Sequence, residues 1–216
     1  MTVSIAPSGA NAVMTYKVTN ESDQQTAVAI KVATRVIDTA GVETNQPADK
    51  LFLVFPARVV LKPNSSQNVK VQYRGTSAIT SEQAYRVIAE QLPVDFTKST
   101  SSGVNILLTY VAALYVTPKN AEPKLVFDKA IGVNDDGRVG LSVTVKNAGT
   151  KHALLSSPVL KITQSGNSAP FEFFGDLTAA IDGQNILALS DRTFFVPWEA
   201  AIVGTNYVGS FNADIE

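Results

Sequence analysis

The chain of 216 residues has no cysteine, which excludes structural disulfides, thiolate-held zinc and thiol nucleophiles. It does not select a compartment, because exported proteins can also fold without disulfides. There is a single histidine, His152, in Asn147-Ala-Gly-Thr-Lys-His152. One histidine without cysteine cannot make a typical structural zinc site, and a catalytic triad needs a nucleophile beside it. A turn residue with a structural or solvated role is the expected reading. No run approaches the about 18 apolar residues of a membrane-spanning helix, and direct membrane insertion is not expected. The opening Met1-Thr-Val-Ser-Ile5 lacks the basic start and apolar core of a signal peptide, so an exported form would have its targeting segment outside this chain.

Charge of one sign is also missing. With 18 basic and 19 acidic residues the net charge is -1, and no basic run could neutralise a series of phosphates, so nucleic acid is not an expected partner. Glycines are dispersed among turns, without a GxGxxG or a phosphate-loop lysine pattern. The carboxylates are scattered. Asp135-Asp-Gly137 lacks the alternating oxygens of a calcium loop and reads as a β-turn. Glu90, flanked by apolar strand residues, reads as the cross-strand partner of a basic residue rather than as a catalyst. No enzyme, metal or cofactor is expected on these residues.

Period-two alternation is what the sequence does contain. Ala12, Met14, Tyr16 and Val18 alternate with Val13, Thr15 and Lys17 before the turn at Asn20-Glu-Ser-Asp23. Further strands are expected over 27–37, 51–55, 57–62, 68–73, 85–92 and 106–117, with a short helical turn over 77–84. The second half gives strands over 124–127, 140–146, 157–162, 185–189, 192–196 and 206–211. No segment reads as the helix of a βαβ crossover. Short strands separated by Gly, Asn and Pro indicate antiparallel sandwiches. Thr117-Pro-Lys-Asn-Ala-Glu-Pro123 is the linker candidate, so two all-β domains are expected, 1–117 and 118–216.

Several stretches, in order and spacing, resemble the periplasmic chaperones of the chaperone-usher pilus pathway. They are Pro7-Ser-Gly9 with Val18-Thr-Asn20, Phe55-Pro-Ala-Arg-Val-Val-Leu-Lys-Pro-Asn-Ser-Ser-Gln-Asn-Val-Lys70, Tyr85-Arg-Val-Ile-Ala-Glu-Gln-Leu-Pro93, Val145-Lys-Asn-Ala-Gly-Thr-Lys-His-Ala153 and Asp191-Arg-Thr-Phe-Phe-Val-Pro197. The resemblance covers nearly the whole chain. It implies two immunoglobulin-like domains in a boomerang arrangement, a periplasmic location, and fimbrial subunits and an outer-membrane usher as partners. It also implies that the last long strand of the first domain is lent to a subunit, satisfying its exposed sheet edge and filling its apolar groove.

In this sequence that strand lies within Gly103-Val-Asn-Ile-Leu-Leu-Thr-Tyr-Val-Ala-Ala-Leu-Tyr-Val-Thr-Pro118. Its two rows are Ile106, Leu108, Tyr110, Ala112 and Leu114, and Leu107, Thr109, Val111, Ala113 and Tyr115. The first row is the expected donated set, because the second contains Thr109 and ends in Tyr115 near the linker. The polar stretch 96–103 beside it fits a loop that orders when a partner pairs. Family members grip the subunit's terminal carboxylate with an arginine near the first strand and a lysine in the donor strand. Here the lysine's place is Ala113, and residues 1–10 hold no arginine, which places the chain in a divergent, alternative or archaic branch. Arg86 is the expected substitute, since a guanidinium can hold a carboxylate in a bidentate fork, with Arg58, Arg74 and Lys98 as weaker candidates. An exposed donor strand also implies self-association of the free protein. The competing readings are a structural or adhesive two-domain sandwich and a sandwich enzyme with paired carboxylates.

Overall fold

The computed structural model describes residues 2–93, 106–163 and 169–215. The chain divides into two compact units. The first comprises Met1–Val36, Thr44–Ile79 and Gln83–Lys119; the second comprises Asn120–Glu216 with Ile37–Glu43 and Thr80–Glu82. No α-helix occurs among the described residues, only short 3-10 turns at Ala10–Ala12 and Gly175–Thr178.

The early strands are β1 (Thr2–Ile5), β2 (Val13–Asn20), β3 (Thr26–Thr34), β4 (Val36–Ile37), β5 (Glu43–Thr44), β6 (Phe52–Phe55), β7 (Arg58–Leu61), β8 (Ser65–Tyr73), β9 (Gln83–Gln91) and β10 (Thr109–Val116). One sheet has the order β1-β10-β9-β3-β7 and a second the order β2-β8-β6, while β4 and β5 form a small ribbon. Alternation on each strand puts one face into the space between the two sheets. Val69, Val71 and Tyr73 of β8 meet Val28, Ile30 and Val32 of β3, Tyr85 and Val87 of β9, and Leu114 and Val116 of β10 in a single core. Phe52 packs edge-on against Tyr73 and Tyr85 with ring centroids 5.3 and 4.8 Å away, the offset geometry that aromatic quadrupoles favour.

The second unit contains β11 (Leu125–Asp135), β12 (Arg138–Asn147), β13 (Ala153–Thr163), β14 (Phe171–Phe173), β15 (Asn185–Ile186), β16 (Asp191–Pro197) and β17 (Asn206–Ile215). Their order is β14-β13-β17-β11-β12-β16, with β15 on β13. Leu141, Val143, Val145, Leu160, Ile162, Phe194 and Val196 fill its core. The hairpin between β11 and β12 turns through Asp136 and Gly137, both at positive φ, and the Asn134 Oδ1 accepts from the Gly137 N–H at 2.8 Å. Asp135-Asp-Gly137 is therefore the expected β-turn, a mirror-image turn matched to strand twist.

The structure departs from the sequence reading in several places: β1 and β14 lie outside the expected strands, the strand over 27–37 breaks at Arg35, the strand over 185–189 is only Asn185–Ile186, and two further differences have a clear cause. β11 is far longer than 124–127, because a bulge between Phe127 and Lys129 shifts its alternation and Gly132 interrupts it. That glycine is required by packing, since a Cβ there would sit 2.1 Å from the Ile202 carbonyl oxygen. Residues 77–82 form bends and irregular chain rather than a helical turn, and 83–84 already belong to β9. Long-range bonds fix the end of this stretch: the Glu82 N–H donates to the Thr150 carbonyl at 2.8 Å, and its buried carboxylate accepts the His152 N–H at 2.9 Å and lies 2.5 Å from the His152 Nδ1. His152 thus has a structural role.

Each unit is also organised by one buried asparagine at a strand end. Asn20 Nδ2 donates to the carbonyls of Gln24 and Lys62, 2.7 and 3.0 Å away. Asn147 Nδ2 donates to the carbonyls of Lys151, Ile186 and Leu187, and its Oδ1 accepts the N–H groups of Lys124 and Gly149. A buried backbone group left unpaired costs about 1–3 kcal/mol, so Asn147→Ala is expected to destabilise the protein by about 3 kcal/mol in urea unfolding. A loss below about 1 kcal/mol would show that water replaces the amide.

Candidate functional site

β10 lies between two neighbours of unequal length. Against β9 it pairs throughout, from Thr109↔Glu90 to Val116↔Gln83. Against β1 it pairs, in parallel, only from Ala113↔Thr2 to Val116↔Ile5. On the β9 side the Gln91 N–H donates to the Leu108 carbonyl at 2.9 Å; on the β1 side the Thr117 N–H donates to the Ile5 carbonyl at 2.9 Å. Backbone groups alternate sides along a strand, so the N–H and C=O of Thr109 and Val111 project from an edge that no described strand covers.

Side-chain exposure divides at the same point. Ile106, Leu108 and Tyr110 are 74, 50 and 69% exposed, and Leu107 and Val111 are exposed too. Ala112 is half-buried. Leu114 is 0% exposed and belongs to the unit's own core. Of the row expected to be donated, Ile106, Leu108 and Tyr110 therefore stand open, Ala112 is transitional, and Leu114 drops out because β1 and the second sheet cover it. The polar stretch 96–103 lies outside the described residues, as does Lys98.

Leu108, Tyr110 and Ala112 share the core-facing side of the sheet, opposite Gln91, Ala89 and Val87. There they border an open cleft of about 770 Å³ between the sheets, with Tyr16, Val18, Val28, Ile30 and Val69 among its other walls. The Tyr16 hydroxyl is buried and has no hydrogen-bond partner among the described residues, and burial pushes its ionisation up to about 12.

The opposite face of the sheet carries the charge. Glu90 pairs with Lys31 of β3, so it is a cross-strand partner. Arg86 is half-buried, directly opposite Ala113 on β10 and Ala33 on β3. Ala113, the position expected for the family's lysine, thus adjoins Arg86 and is itself buried. Arg58 sits on β7 at the other edge of the sheet, and Arg74 follows β8 in the other sheet. Arg35 was not among the expected residues. It lies beyond the end of β3 on the same face, where its Nη1 donates to the Tyr115 hydroxyl at 2.7 Å. Its spacing from Lys31 and Ala33 by twos was the signal available in the sequence.

The model for the pili and flagellar-assembly chaperone, PapD N-terminal domain, matches residues 2–122. No curated protein sequence matches. Among solved structures, the class 5 fimbriae chaperone CfaA is 13% identical with a TM-score of 0.60, over 99% of this chain and 97% of that one. A chain of the CsuC-CsuE chaperone-tip adhesion subunit pre-assembly complex, from archaic chaperone-usher Csu pili of Acinetobacter baumannii, is 18% identical with a TM-score of 0.61, over 95 and 93%. A chain of the Salmonella enterica SafA pilin complex with the SafB chaperone is 16% identical with a TM-score of 0.57, over 98 and 92%. At these identities the likenesses show a shared fold, that of two-domain immunoglobulin-like β-sandwich chaperones.

Two outcomes are expected. Leu114→Ala should cost about 2–5 kcal/mol, whereas Leu108→Ala, on the same row, should change unfolding free energy by less than about 0.5 kcal/mol. Equal losses in urea titrations would contradict the division of β10. A phenol ionising higher in the fold than in the unfolded chain contributes stability below pH 10 that is lost as pH rises toward 12. Tyr16→Phe should therefore flatten the fall of stability above pH 10, and unchanged pH curves would count against burial of that hydroxyl.

Proposed function

The chain belongs to the pili and flagellar-assembly chaperone family, and from that premise we propose that it lends residues 106–112, the segment leading into β10 and the strand's first half, to a fimbrial subunit. A chaperone family is not an enzyme class, and neither ATP nor a metal enters the mechanism. The observation that carries the reading is the open edge at Thr109 and Val111 beneath an exposed apolar row. A subunit whose sheet lacks an edge strand receives main-chain hydrogen bonds from that edge, and Ile106, Leu108 and Tyr110 enter its groove, with Ala112 at the margin. Residues 1–117 form the lending domain and residues 118–216 the second domain. The work takes place in the periplasm, and the loaded chaperone delivers the subunit to an outer-membrane usher. Between loads the same edge pairs with a second copy of the chain, giving a reversible dimer.

In this reading Arg86 grips the subunit's terminal carboxylate. Arg86 stands directly opposite Ala113 on β10, and Arg35, bonded to the Tyr115 hydroxyl, adds positive charge on the same face. A charge-assisted fork of this kind is worth more than a neutral bond.

The test is co-expression, behind a secretion signal, with a fimbrial subunit encoded alongside the chain. The wild type should yield a one-to-one complex. Serine at 106, 108 and 110 should abolish it, and Arg86→Ala should weaken it at least tenfold while leaving the free fold intact. A complex that survives the triple change refutes strand lending by this row, and failure of the wild type to bind any subunit favours a structural or adhesive module.

A further inference from the structure

Of the open row on β10, only Tyr110 carries a polar atom. Ile106 and Leu108 are aliphatic and Ala112 is small. The Tyr110 ring is 69% exposed, and its hydroxyl has no hydrogen-bond partner among the described residues, so water satisfies it in the free chain. Ala89, its partner across the ladder, has no polar side-chain atom.

We propose that Tyr110 is a specificity-determining residue: the acceptor groove of the cognate subunit is apolar where it receives Ile106 and Leu108, and carries one buried hydrogen-bonding group where it receives Tyr110. This rests on the strand-lending reading above. A hydroxyl moved from water into an apolar groove loses its hydration, and the loss is offset only if the groove supplies a partner. A groove apolar throughout would hold phenylalanine at least as well as tyrosine. Sites built to bond a hydroxyl discriminate strongly against the analogue that lacks it, because their own polar group is then left unpaired. The position along the strand is bounded toward the linker, because β1 occupies the same edge from Ala113 onward and a partner strand cannot pair beyond about Ala112. With the subunit's terminal carboxylate held at Arg86 as proposed above, Tyr110 meets one station of the groove.

The experiment uses the complex of this chain with the fimbrial subunit encoded alongside it, and compares dissociation rates of wild type, Tyr110→Phe and Leu108→Ser. The expected result is that Tyr110→Phe dissociates at least tenfold faster than wild type, with an unchanged melting temperature of the free chain, and that Leu108→Ser is lost altogether. A Tyr110→Phe complex as long-lived as wild type, or longer-lived, alongside loss of Leu108→Ser, overturns the polar station and leaves strand lending standing. If Leu108→Ser is retained, strand lending by this row fails and the inference falls with it.

Discussion

The unequal length of the two neighbours of β10 is the constraint on which the site depends. β9 pairs with the strand from end to end and holds it in the sheet, whereas β1 closes the outer edge only from Ala113. The same strand is therefore a core element over its last four residues and an unfinished edge over its first. Sheet edges are ordinarily blunted by charge, proline or bulges. Here the open segment is Ile106-Leu-Leu-Thr-Tyr-Val111, with none of these devices. A segment so placed must be covered by something, or remain an aggregation hazard.

The fold was largely legible from the sequence because alternation reports directly which face of a strand is buried. The runs around Tyr16, Val71 and Val87 each put their apolar residues into the core as their spacing required. Alternation failed where a local irregularity reset it, as at the bulge after Phe127. The helical expectation over 77–84 failed for a different reason: the partners of Glu82 lie 70 residues away, and no local pattern announces them. The resemblance pointed to Val18-Thr-Asn20 and Val145-Lys-Asn147 without a reason. The buried amides of Asn20 and Asn147, each tying several loop backbone groups, supply one.

The site was less legible. Residues 106–116 are apolar on both faces, so composition cannot tell a strand buried at one end from one buried throughout. Only the length of β1, four residues, draws the line, and it removes Leu114 from the exposed row. The positive charge has a similar history. Arg86 could be singled out because the family positions were empty, but its register opposite Ala113 is a cross-strand fact. Arg35 stands on the same face because it continues the row of Lys31 and Ala33 by twos, but its bond to the Tyr115 hydroxyl is a cross-sheet fact.

Magnitudes bear on how a lent strand could be released without an energy source. Burying each large plug contributes about 1.5–3 kcal/mol, and each edge hydrogen bond about 1 kcal/mol net. Against this stand the association costs of about 4–15 kcal/mol in lost freedom. The two sides are of similar size, so three large plugs and a few edge bonds do not make an irreversible complex. A competing strand of similar length makes the same main-chain bonds, so the ladder contributes little to the difference between them. If the strand is lent as proposed, side-chain fit and tethering decide which strand occupies the groove. Ala112, small and next to the point where β1 begins, would then leave the row's grip weakest at that end.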